Sequence, residues 1–156
     1  MKSTLLKVLF VAFLVGLVVY LLAGSQKPIK EGLHEISVSG NKVFVETADT
    51  DAKRAMGLSG RSSLSQKEGM LFVFEEKDIT PIFWMKDMGF AIDIIWINDG
   101  VVAGISKNVS PEPGRLEGEL TLYRPPVPID YVLEVAASFS EKNEVDIGDT
   151  VDLSSI

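Results

Sequence analysis

Apolar and polar residues alternate from residue 34 onward in short runs separated by turn-forming residues. Ile36 and Val38, then Val43 and Val45, occupy every second position on either side of Gly40-Asn41, the pattern of a β-hairpin with one buried face. Residues 50–58 change period, and Thr50 or Asp49 can N-cap a short helix that Gly57 or Gly60 stops. Strands are predicted at residues 70–74 and 82–88. A second hairpin, residues 93–98 and 101–107, flanks Asp99-Gly100, the strongest turn signal in the chain. The Pro-containing stretch at 110–118 reads as a long loop, and residues 120–123 as a short edge strand. A strand at 131–135, a short helix at 137–143 and a closing strand at 150–153 complete the pattern. The expected class is α+β: a mostly antiparallel, barrel-like curled sheet of about seven or eight strands with two short helices.

One stretch, residues 69–98, is unusually apolar. It holds both tryptophans, four of eight phenylalanines and three of five methionines, so the core is expected there. The N-terminus differs from everything after it. Residues 8–24 carry no charge and no polar face, with Lys2 and Lys7 ahead of them. As a helix this run reaches about 25 Å, near the short end of a bilayer span. The expected organisation is a membrane anchor or signal peptide over residues 1–25, a linker over 26–33, and a single domain over 34–156. Retention as a single-pass anchor is the preferred reading, with the N-terminus in the cytoplasm and the domain outside; the small residues Ala23-Gly24-Ser25 leave cleavage and secretion as the alternative.

Charge and composition narrow the function. All 22 acidic residues but only 13 of the 15 basic ones lie beyond residue 25, leaving that part at a net charge of −9. This argues against a nucleic-acid partner, since phosphate binding requires a basic face. The absence of cysteine excludes disulfides, Fe–S clusters and thiolate zinc. A single histidine, His34, argues against an imidazole metal site, and no cofactor is expected.

Several short motifs occur in a fixed order: Arg54-Ala55-Met56-Gly57-Leu58 with Arg61, Gly69-Met70-Leu71-Phe72-Val73-Phe74, Phe83-Trp84-Met85-Lys86 followed by Asp93, Leu133-Glu134, and Gly148-Asp149. Together they resemble the domain-of-unknown-function family 192, over nearly all of residues 38–153. The resemblance implies a compact, largely β domain, often exported or anchored, with no agreed reaction. Ser59, Asp87, Met88, Ala91 and Ser138 depart from the usual pattern, where methionine, asparagine, threonine, proline and glycine are common.

The candidate chemistry centres on Lys86, a charge inside an apolar block that needs a partner or a route to water. Asp93 or Glu134 is the expected partner, within about 4 Å. On a regular strand Trp84, Lys86 and Met88 share one face. Arg54, Arg61, Trp84, Lys86, Asp93 and Glu134 are therefore the candidate ligand-binding residues, and envelope glycan, a small ligand or a partner protein the candidate ligands. The alternative is a hydrolase with Asp93 and Glu134 as an acid/base pair, which requires the two carboxyls roughly 5–9.5 Å apart in an open cleft. A copper(I) site from Met56, Met70, Met85 and Met88 is disfavoured, because Met85 and Met88 fall on opposite faces of a strand.

Overall fold

The computed structural model describes residues 32–156, which form one unit. The expected N-terminal helix lies outside the described residues. Seven strands follow in chain order: β1 (His34–Val38), β2 (Asn41–Ala48), β3 (Glu68–Val73), β4 (Ile92–Asn98), β5 (Val101–Val109), β6 (Tyr131–Ala136) and β7 (Val151–Asp152). Helix α1 (Asp51–Met56) follows β2 and α2 (Phe139–Lys142) follows β6. The spatial order is β5-β4-β6-β3-β2-β1-β7. A bridge between Val101 and Thr150, with Val102 N donating to Asp149 O at 2.9 Å and Gly148 N to Val102 O at 2.8 Å, brings the two ends together into a nearly closed barrel.

Both predicted hairpins form. Asp99 and Gly100 turn with φ of 48° and 71°, the left-handed pair that matches the twist of flanking strands. All pairings are antiparallel except β2 with β3; these two run parallel because α1 and the following loop carry the chain back across the sheet.

The core has two layers. Ile36, Val43, Val45, Leu71, Ile95, Leu133 and Val135 fill the barrel interior. Phe72, Ile92, Ile94, Trp96 and Val132 point outward and are covered by residues from the connections, among them Met85 and Ile129. Strands β4 and β6 are thus buried on both faces, which is why they read as continuous apolar runs and not as alternating ones.

Two predicted strands are not strands. Residues 82–88 and 120–123 are joined by one isolated bridge, Phe83–Tyr123, with N···O distances of 2.9 and 2.8 Å. Pro81 has no N–H to give a ladder, and a turn at Lys86-Asp87, where Asp87 takes φ of 56°, ends the extended run. Residues 117–119 form a single 3-10 turn within the long loop.

Candidate functional site

Glu134 stands in β6 opposite Met70 of β3 and Ile94 of β4. Alternation along the strand turns its neighbours Leu133 and Val135 into the barrel and aims Glu134 at the outer layer. Its side chain is 5% exposed, and Oε2 has no hydrogen-bond partner. Burial pushes the carboxyl up to about 8, against the opposing positive charge of Arg61. At neutral pH the group is mostly protonated and can donate a hydrogen bond.

The space above this carboxyl is shaped by the end of α1. Thr50 caps the helix by accepting from Lys53 N at 3.3 Å, and Gly57 ends it at φ 50°, ψ −133°, a conformation side chains rarely adopt. A Cβ at Gly57 would lie 3.4 Å from the Phe72 ring and 3.9 Å from Glu134 Oε2, so the glycine also keeps the space over the acid open. Phe83 forms part of the wall, its ring edge-on to Phe72 at 4.8 Å and to Trp96 at 5.6 Å. The result is an open cavity of about 280 Å³ bordered by Gly57, Leu58, Phe72, Phe74, Trp84 and Glu134, among others. Arg54 closes one side: Nη1 donates to Val73 O at 2.8 Å, Nη2 to Asp51 Oδ1 at 2.5 Å, and the guanidinium lies 5.7 Å from the centre of the Phe74 ring. Met56, Ile82 and Trp84, which are 66%, 47% and 42% exposed, form an apolar rim.

Of the six candidate residues, Arg54, Trp84 and Glu134 border this cavity. Arg61 and Lys86 face a second, more polar hollow of about 470 Å³. Arg61 makes a two-pronged ion pair with Glu46 at 2.7 and 2.8 Å, and these hydrogen bonds hold its guanidinium charged against the opposing effect of partial burial. The expectation for Lys86 is overturned: it pairs with Glu117 and with neither Asp93 nor Glu134. Glu117 comes from the loop after β5, a segment with no sequence pattern tying it to residue 86.

Asp93 occupies a different place again. It pairs with Val135 across the β4–β6 ladder while Glu134 pairs with Ile94, so the two carboxyls leave opposite faces of the sheet. Asp93 is fully buried and accepts three backbone N–H groups, from Asn108 at 2.8 Å, Ser138 at 3.2 Å and Ser140 at 2.9 Å. It ties the end of β5 to the start of α2. The sheet lies between Asp93 and Glu134, and they share no cleft. Met56 and Met88 border the first cavity and Met85 the second. Among the described residues no group of three or more His, Asp or Glu side chains is placed to hold a metal ion. His34 Nδ1 lies 2.9 Å from Ser155 O at the start of β1. Sequence reasoning missed Gly57, Phe72 and Phe74 as cavity residues; the signal for Gly57 was its place directly after a capped helix.

The fold and site define a small barrel domain with a single buried carboxyl under an apolar opening. The chain belongs to domain-of-unknown-function family 192 (DUF192), described as Uncharacterized ACR, whose model matches residues 34–153. No curated protein matches it. Among solved structures it is similar to a protein from Sinorhizobium meliloti 1021 provisionally assigned as a transcription regulator, at 26% identity and TM-score 0.71 over 80% of this chain and 95% of that one. It is also similar to a protein of unknown function from Novosphingobium aromaticivorans, at 28% identity and TM-score 0.70, over 82% of this chain and 91% of that one.

Proposed function

We propose that this domain is a small binding or accessory module, held at the membrane by residues 1–25 with the domain outside the cytoplasm, and that the Glu134 cavity is its ligand site. One observation carries the binding reading: an open, largely apolar cavity is bordered by a buried carboxyl, one oxygen of which has no partner within the protein. Leaving such a group unpaired costs stability, and a ligand that reaches it recovers that cost. A few polar groups in an otherwise apolar pocket is the usual make-up of a ligand site.

Among the candidate ligand classes, the lining supports a small molecule or one projecting side chain of a partner protein over a glycan. A sugar ring brings several hydroxyls, each needing a polar partner once buried, and the floor offers chiefly one carboxyl. A DNA-directed role, suggested by the description of the S. meliloti relative, is opposed by the net charge of −9 beyond residue 25. The test is a fragment screen followed by backbone amide chemical shifts. Fragments are expected to move the signals of Gly57, Phe72 and Trp84 together, and Trp84→Ala to weaken them without unfolding the domain. A screen in which no fragment moves those three signals rejects the site.

A further inference from the structure

We propose that the Glu134 cavity recognises an alkylammonium group, whether a free amine or a lysine side chain. The inference rests on the binding reading above and names its ligand class. Glu134 provides the only carboxyl among the residues bordering the cavity, with Oε2 unpartnered. Around it stand Phe72, Phe74, Phe83 and Trp84, and aromatic faces attract cations through their quadrupoles, more strongly where water is excluded. The volume of about 280 Å³ suits a short aliphatic chain with a compact head, and the rim of Met56, Ile82 and Trp84 gives that chain an apolar exit. The acidic character of the domain raises the local concentration of cations at the opening.

Two guanidinium groups could oppose a cationic ligand, and both are committed elsewhere. Arg54 on α1 is paired with Asp51 and stacked on Phe74. Arg61, in the loop after α1, is paired with Glu46 of β2 and also feels Glu68 at the start of β3. From β4 the residue facing Glu134 is Ile94, and residues 81–84 bring no charge to the cavity. Binding a cation requires Glu134 to give up its proton, so a proton is released on association. Since the free carboxyl titrates at about 8 and an alkylammonium holds its proton to about pH 10, affinity should rise with pH and level off above 8.

The test uses the full-length chain with n-butylammonium, n-butanol, butyrate and Nα-acetyl-lysine amide, followed by calorimetry and tryptophan fluorescence from pH 6 to pH 9. Butylammonium is expected to bind about a hundredfold tighter at pH 9 than at pH 6, with butanol and butyrate weaker at pH 9. Glu134→Gln should remove the pH dependence and lower butylammonium affinity about tenfold or more. Trp84→Ala, at a half-exposed position, should weaken butylammonium more than butanol. Tighter binding of acetyl-lysine amide than of butylammonium assigns the site to a lysine of a protein partner; equal or weaker binding assigns it to a free amine. Butanol or butyrate binding as tightly as butylammonium, or affinity that falls with rising pH, overturns the amine inference while leaving a binding cavity. Failure of every probe to bind overturns both.

Discussion

Two buried carboxylates show how placement sets the role of a residue. Asp93 is surrounded by donors and Glu134 by hydrocarbon, so the first is a structural tie and the second an unsatisfied acid. Replacing Asp93 by Ala strands three N–H groups, one buried at Ser140 and two part-buried at Asn108 and Ser138, and chemical denaturation should show a loss of about 2–4 kcal/mol. Asn at the same position keeps the oxygen that serves Asn108 and Ser138 but opposes an amide to the Ser140 N–H, and roughly half that loss is expected. Glu134 carries a pH signature of opposite sign to an ordinary ion-paired acid. Its carboxyl is raised from 4.5 in the unfolded chain to about 8, so the native state holds the extra proton between those values. Its contribution is complete below pH 4.5 and is lost as pH rises to 8. Thermal or urea melts of Glu134→Gln should therefore gain on wild type across that interval, by on the order of a few kcal/mol. A constant difference between the two proteins from pH 4.5 to 8 would refute the assignment. Trp84, at 42% exposure, should cost only about 1 kcal/mol on replacement by Ala, whereas the fully buried Trp96 is the tryptophan of the core.

At the scale of elements, the short helices are placed by backbone conformation as much as by apolar pattern. Ser138 enters α2 in the left-handed region with φ of 62°, a conformation that glycine adopts without strain. Asp87 shows the same at φ 56°, and asparagine is among the side chains that best tolerate it. Ser138 and Asp87 thus both carry backbone strain at turns. Ser138→Gly should raise the unfolding free energy by about 0.5–1 kcal/mol, the relief of the left-handed cost outweighing the added chain entropy and one exposed hydrogen bond to Asn108. A destabilised Ser138→Gly variant would mean that the hydroxyl contact matters more than the backbone.

At the scale of the whole molecule, the barrel depends on a short seam. Strand β7 pairs with β1 through two residue pairs, and Gly148 to Val151 hydrogen-bond to Gly100 and Val102. Removing residues 149–156 should leave the edges of β1 and β5 open and promote self-association, visible by light scattering on a sizing column; a monomer with an unchanged melt would argue that the seam is dispensable. Attachment to the membrane is tested separately. If residues 1–25 anchor the chain, it should stay in the membrane fraction through an alkaline carbonate wash with its N-terminus intact, and a soluble form beginning near Gln26 would make the segment a cleaved signal.

The amino-acid sequence determined the local pieces and the kind of fold. Both hairpins, the capped helix α1 and the apolar strands β4 and β6 follow from residue periodicity and turn chemistry, which act over a few positions. It also singled out Glu134, because a carboxyl inside an apolar strand is conspicuous at any level of description. The tertiary structure alone decided which pieces meet. Strand β6 slots between β3 and β4, and that register puts Asp93 and Glu134 on opposite faces. Lys86 finds Glu117, 31 residues away, since long flexible side chains pair with whatever charge the loops bring near. The cavity has the same origin: Gly57, Phe72, Phe83 and Trp84 come from three separate segments, and only packing of those segments over the outer face of the sheet creates the space between them.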